Sequence, residues 1–599
     1  MEATHTPVAA STSSATIADL LPSAAEQHAE RTAVRFKRDG EWLEITYGEV
    51  GEIVSEIARG LIDLGIDPGD RVAILCNTRP EWTFADFAIA SAGAVVVPVY
   101  PTNSPEECRW VVGDSGARTI VCEDASQVAK IVELRDELPS LQTIIVVDDA
   151  GDVADAVSLA AVRERGRSVD PAALRERIQG VSSEDPFTFI YTSGTTGPPK
   201  GCVLSHGNYR SVLDMCLARD VVSSDESVYL YLPLAHAFAL LVQLLTIDIG
   251  AAIAYFGGDP KQIVAELNEI RPTYFPSVPR IFEKIYTLAS TSIKQRLSAE
   301  EFQGMVKLGV QVRDLELGGA PVPSEMREAF ELADREVFAN VRAVFGGRVR
   351  QAVTGAAPIA RDILEFFYAC GVPVLEGYGM TETATVATYS TLREHKFGTV
   401  GRPLPGCDCK VADDGEVLIR GANVFRGYHN NQDAGFGAVV DGWLHTGDLG
   451  SVDDEGYVSI TGRKKDIIIT AGGKNITPTN VENDLKQSRW ISQAVMHGDR
   501  RPYPVALVTL DEEEIGPWAQ EQGLPPDIAS LAKAPKARRL VQGVVDTVNA
   551  KYAQVEQVKK FVILDHDLSQ ETGELTPTLK VKRNVINDKY AGLFDSLYA

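Results

Sequence analysis

From Tyr47 onward the apolar residues switch back and forth between helical and strand-like spacing, and this alternation restricts the fold more than any other feature of the sequence. Ile53, Ile57, Leu61 and Leu64 mark one helical face within 50–64, and the turn at 65–70 stops that run. Residues 71–75 then read as a buried strand, 84–93 as a helix, and 95–99 and 144–147 as further strands. Neighbouring parallel strands need a crossover, and a helix packed back on the sheet supplies one. The predicted class is α/β, with parallel sheets covered by helices.

A chain of 599 residues is too long for one core, so roughly three or four compact units are expected. Segment 288–349 is charged and helical in pattern and reads as an insert. After Gly462 the cations Arg463, Lys464 and Lys465 open a fresh α/β pattern. The expected division is a large N-terminal domain over 25–462 and a small C-terminal α/β domain over 463–599. Residues 1–24, rich in Ala, Ser and Thr, are expected to fray.

Bulk charge excludes one class of partner. With 58 Lys and Arg against 83 Asp and Glu, the formal net charge is -25, unsuited to a broad nucleic-acid surface. A small anion can still be held by a local cluster. The eight cysteines include no CxxC pair, and Cys407 and Cys409 alone lack partners for a zinc site. They are expected to be free thiols in a reducing, cytoplasmic setting. No Lys or Arg precedes Arg31, so no secretory signal is expected. The longest apolar stretch, 238–258, carries Gln243, Asp248 and Gly250 and reads as buried core rather than a membrane span. Transient peripheral contact with a membrane, and self-association, stay open.

The strongest chemical signal is YTSGTTGPPKG at 191–201, after the strand-like residues 187–190. Gly194, Gly197 and Gly201 let the backbone approach a ligand closely. The hydroxyls of Thr192, Ser193, Thr195 and Thr196 can donate to phosphate oxygens, and Lys200 can neutralise charge. A solvated Ser/Gly loop is the bland alternative, but a linker rarely ends in PPKG. The Walker pattern is absent, because Lys200 follows a proline and precedes a glycine.

Six further motifs follow in order: YLPLAHAF at 231–238, TGAAP at 354–358, EGYGMTET at 376–383, HTGDLG at 445–450, GRKKDIIITAGGKNITP at 462–478 and LTPTLKVKR at 575–583. With 191–201, this series resembles the adenylate-forming, AMP-binding enzymes, and within them the bacterial long-chain fatty acyl-CoA synthetases. The resemblance implies ATP contacts from Thr192, Ser193, Gly194, Thr195, Thr196, Gly197 and Lys200. It also implies them from Gly355, Ala356, Ala357, Glu376, Gly377, Tyr378, Gly379, Thr381, Asp448, Arg463 and Lys580. Tyr378 offers a flat face for adenine, Asp448 two oxygens for ribose hydroxyls, and Glu382 with Thr192 hard oxygens for Mg²⁺. LGGAP at 317–321 imitates the adenine motif, but TGAAP has the family's order and spacing before EGYGMTET.

The resemblance further implies catalytic roles for Lys580, His236, Thr196 and Lys200, and a C-terminal domain that turns about a hinge at Lys465. Gly472, Gly473 and Lys474 would meet coenzyme A. His236, Phe238 and Leu240 would line the acyl pocket, although plain core packing is equally natural for each apolar one. Lys580 and Lys582 lie two apart, so a strand would put them on one face and a loop could part them. Motif alignment selects Lys580, and the family's usual glycine before it is Leu579 here. The implied reaction joins a fatty acid to coenzyme A at the expense of ATP through an acyl-adenylate. The rivals are a fatty acyl-AMP ligase serving a carrier protein, a luciferase-like oxygenase, and an inactive nucleotide- or lipid-binding module.

Overall fold

The strands Arg71–Leu75, Val95–Val99 and Thr119–Cys122 are short apolar runs buried on both faces, as parallel strands under helices must be. They belong to a computed structural model that describes residues 11–148, 156–192, 198–219, 221–294, 296–431, 435, 437–576 and 579–599. Among the described residues they sit in a seven-stranded sheet ordered Ala156–Ser158, Thr143–Val146, Thr119–Cys122, Arg71–Leu75, Val95–Val99, Pro186–Thr192, Lys200–Ser205. Every neighbouring pair is parallel except the last, an antiparallel pair that sets Thr192 opposite Lys200.

A nine-stranded sheet carries Ser227–Leu230, Tyr274–Ser277, Gln351–Thr354 and Val374–Tyr378 at its parallel centre. Ser277, Thr354 and Glu376 lie side by side at the strands' carboxyl ends, where open α/β sheets bind ligands. Between the two sheets pack the helices Tyr47–Asp63, Pro80–Ser91, His206–Leu217 and Ala237–Asp248, whose buried side chains form one core with both sheets.

The polar residues of the apolar stretch are buried as expected, and each has a partner. Gln243 donates to Asp86 at 2.8 Å and accepts from Thr83 at 2.6 Å. Asp248 meets Arg210 at 2.7 Å and the Thr12 hydroxyl at 2.5 Å. No helix among the described residues is long and apolar enough to cross a membrane. All eight cysteines are free, and all but Cys409 are buried.

Two expectations change. Fraying to Ala24 does not hold from Ser11 onward, because Ile17, Leu20, Leu21 and Ala24 are 0% exposed in the inter-sheet core and Thr12 is tied to Asp248. Composition alone hid four apolar anchors. The helical segment also opens earlier than residue 288. Pro279–Lys294, Ala299–Leu317, Ser324–Ala333 and Ala339–Val344 form the crossover between the parallel neighbours Tyr274–Ser277 and Gln351–Thr354. Its aromatic residues Phe282, Phe302, Phe330 and Phe338 pack on Phe366 and Phe367 into a second core.

An antiparallel sheet of Cys407–Val411, Glu416–Gly421, Trp443–Val452 and Val458–Arg463 follows. Beyond it, Ile491–His497, Val505–Leu510 and Lys560–Ile563 form a sheet that packs with Pro478–Lys486 and Pro535–Asn549 around a core of its own.

Candidate active site

The strand Val374–Tyr378 ends in a loop that needs close backbone approach. A Cβ on Gly379 would lie 2.2 Å from the Thr385 carbonyl oxygen, so only glycine fits. Tyr378 leaves this strand end and donates its hydroxyl to Asp448 Oδ2 at 2.7 Å. Arg463 Nε meets Asp448 Oδ1 at 3.0 Å from directly across the strand pair. Burial raises the Asp448 carboxyl and the Arg463 charge opposes that rise. The turn bearing Asp448 is anchored by Glu416, which accepts from the Gly447 amide at 2.8 Å and meets Lys464 at 3.2 Å. Burial pushes the Glu376 carboxyl up to about 8. Ala356 takes a left-handed φ of 67° at the end of the TGAAP strand, while Leu317 of the imitation motif is an exposed helix terminus.

Ser193, Gly194, Thr195, Thr196 and Gly197 lie outside the described residues. Thr192 and Lys200, on either side of them, are cross-strand neighbours. Thr192 Oγ1 is 3.9 Å from the buried Cys202 thiol. Lys200 Nζ stands 5.2 Å from the centre of the Tyr428 ring, and the Tyr428 hydroxyl donates to Glu382 Oε1 at 2.7 Å. Thr381 and Glu382 share the single turn Thr381–Thr383.

His236 caps the helix Ala237–Asp248. Its Nδ1 accepts from the Phe238 amide at 3.2 Å, which leaves the ring proton on Nε2. Enclosure and then the Lys580 charge lower its pKa to about 3, so the ring is neutral and donates rather than carrying charge. Thr385, at a left-handed φ of 95°, donates to the Ala237 carbonyl at 2.8 Å and ties the loop after Tyr378 to this helix. Leu240 is fully buried and Phe238 half-buried.

Lys580 arrives from the C-terminal part of the chain. The Thr576 amide donates to the Lys580 carbonyl at 2.8 Å, and the Thr576 hydroxyl accepts from the Lys580 amide at 3.0 Å. The side chain enters the cleft, where crowding protein and then Arg463 lower its pKa to about 8, against the opposing pull of Asp448 and Glu382. Its surface stays open to cleft solvent. Lys582 turns elsewhere, 3.6 Å from Glu107. Tyr378, Asp448 and Arg463 thus form one cluster, and Lys580 interacts electrostatically with Asp448, Arg463, Glu382 and His236. Lys465 is exposed in the turn Lys464–Asp466, and Gly472, Gly473 and Lys474 lie on the exposed end of the hairpin Ile468–Ile469/Asn475–Ile476. Sequence reasoning missed Tyr428, Glu416 and Thr385. Tyr428 is 46 residues from Glu382, so no local spacing links them.

A family model described as AMP-binding enzyme matches residues 21–429, and one described as AMP-binding enzyme C-terminal domain matches 465–599. The chain is 38% identical over 564 residues to the long-chain-fatty-acid–CoA ligase FadD15 of Mycobacterium bovis, covering 94% of this chain and 93% of that one. It is 32% identical over 622 residues to the long-chain-fatty-acid–CoA ligase ACSBG2 of Gallus gallus, covering 98% of this chain and 81% of that one. The adenylation domain of a carboxylate reductase from Mycobacterium chelonae shares the fold with a TM-score of 0.78 at 20% identity, covering 99% of this chain and 92% of that one. The anthranilate CoA ligase AuaEII, in complex with anthranoyl-AMP, shares it with a TM-score of 0.74 at 19% identity over 100% of both chains. The chain belongs to the adenylate-forming family of AMP-binding enzymes.

Proposed function

We propose that this chain is a long-chain fatty acid–CoA ligase that works through an acyl-adenylate. The observation that carries the reading is the Tyr378–Asp448–Arg463 cluster, which Lys580 of the C-terminal part approaches closely enough for its charge to act on Asp448 and on His236. The names of the relatives FadD15 and ACSBG2 supply the substrate class.

In the first half-reaction a carboxylate oxygen attacks the α-phosphorus of ATP and pyrophosphate leaves. Anion approaches polyanion, so positive charge and hydrogen-bond donors must be in place beforehand. Lys580 and Lys200 supply charge, and the neutral His236 donates from Nε2 to orient an oxygen without competing for the proton. Tyr378 stacks on adenine, and its bond to Asp448 holds that carboxylate ready for the ribose hydroxyls.

The residues present fit Mg²⁺ bound with ATP. That ion needs one or two protein oxygens besides phosphates and water, and Glu382, a buried carboxylate whose Oε1 accepts from Tyr428, offers one. Glu382 and the Thr192 hydroxyl would hold it, and it would neutralise triphosphate charge. In the second half-reaction the coenzyme A thiolate attacks the acyl carbon and AMP leaves. The exposed hairpin with Gly472, Gly473 and Lys474 replaces Lys580 at the cleft after rotation about Lys465. The apolar flank of His236, with Phe238, takes the acyl chain, whereas Leu240, expected beside it, is fully buried in the inter-sheet core.

Purified protein with Mg-ATP and palmitate, with and without coenzyme A, tests the reading by mass spectrometry. Palmitoyl-CoA and AMP are expected only when all substrates are present. Palmitoyl-AMP that coenzyme A leaves unchanged would overturn the ligase assignment in favour of an acyl-AMP ligase.

A further inference from the structure

Tyr428 stands between two side chains of opposite charge that the proposed reaction uses separately. The segment bearing it is clamped to the strand Lys200–Ser205. Val203 N–H donates to the Gly427 carbonyl at 3.0 Å, and His429 N–H donates to the Gly201 carbonyl at 2.8 Å. A few residues earlier, Phe425 N–H donates to the Glu382 carbonyl at 2.8 Å. One stretch of backbone thus references both the phosphate-loop strand and the turn that carries Glu382.

The side chain repeats this arrangement. Its hydroxyl donates to Glu382 Oε1 at 2.7 Å, its ring lies 5.2 Å from Lys200 Nζ, and Phe425 braces the ring edge-on at 4.9 Å. A lysine and a carboxylate in a sheltered cleft attract each other, and a direct pair would occupy both. A phenol can satisfy each in a different way, as a donor to the carboxylate and as a π face to the ammonium. We propose that Tyr428 is a positioning residue that holds Glu382 toward the metal and Lys200 toward the phosphates as separate groups. The proposal rests on the roles given to Glu382 and Lys200 above.

Calorimetric titration of a non-hydrolysable ATP analogue into the full chain, with and without Mg²⁺, tests it. In Tyr428→Phe the ring stays under Lys200 and the bond to Glu382 is lost. The affinity gained from Mg²⁺ should fall by about tenfold, as when a ligand's supporting hydrogen bond is removed, with Mg²⁺-free affinity and melting temperature unchanged. Tyr428→Leu should also weaken Mg²⁺-free binding, because Lys200 loses its ring. Parent-like Tyr428→Phe binding alongside a Glu382→Gln variant that loses the Mg²⁺ gain would overturn the proposal and leave the functional reading intact. A Glu382→Gln variant that keeps the gain would overturn both.

Discussion

Lys580 carries its charge in a place that disfavours it. Crowding and Arg463 lower its pKa to about 8, so the free enzyme loses this cation, the one proposed to serve adenylation, as pH rises through that value. The kcat/KM for ATP in pyrophosphate release should therefore fall above about pH 8, and Lys580→Arg should shift that limb upward, since guanidinium stays protonated. Lys580→Ala should abolish adenylate formation and retain thioester formation from supplied acyl-AMP. The stability linkage has the opposite sign. A depressed lysine opposes folding at pH below about 8, and that penalty fades as pH climbs toward the ordinary lysine value. Leu579, just before it, is held at a left-handed φ of 59° with its side chain 60% exposed. That conformation explains why glycine suits the position. Leu579→Gly should keep full adenylation, and the β-branched Leu579→Val should lower it by about fivefold, read as pyrophosphate release.

At the scale of elements, the helix Ala237–Asp248 is buried nearly all round and still carries charge at its end. Asp248, 0% exposed, is held by Arg210 and Thr12. Removing it leaves the Arg210 cation short of a partner in the core. Asp248→Ala should lower the stability of the large part by about 3–5 kcal/mol in urea unfolding, a range seen when one member of a buried ion pair is deleted. The turn that presents Lys580 has its own anchor. Glu574 is 0% exposed, meets Lys589 at 2.8 Å, and is held down to about 2 by Lys589, Thr572 and Tyr590 against the effect of burial. Its backbone carbonyl accepts from the Lys582 amide at 2.8 Å, which ties the anchor to the segment that carries Lys580.

At the scale of the molecule, the helical crossover and the C-terminal part meet through opposite charges. Arg280 pairs with Asp511 at 2.8 Å and Lys284 with Glu513 at 2.6 Å. Each exposed pair is worth little alone, and salt screens it. Both hold the arrangement in which Lys580 occupies the cleft. Arg280→Glu with Lys284→Glu should slow adenylation severalfold at low salt and spare thioester formation from acyl-AMP. Adding Asp511→Arg with Glu513→Lys should restore the rate, measured in single-turnover assays.

The sequence by itself determined the α/β class and the order of the motifs that carry the candidate residues. Buried strands need apolar runs, and phosphate, adenine and ribose each restrict the residue types that can meet them. The motifs that carry Asp448 and Glu382 were readable because they are local. The partners that hold them were not, since Tyr428 and Glu416 reach them only when distant strands pair. Composition also misread residues 11–24, whose apolar side chains fill a gap between sheets that exists only in the folded chain. The choice between Lys580 and Lys582 was left to motif alignment, because a spacing of two has no meaning until the backbone is known to be strand or turn. In the folded chain the Lys580 amide donates to the Thr576 hydroxyl, the charges of Asp448 and Glu382 act on Lys580, and Lys582 lies 3.6 Å from Glu107.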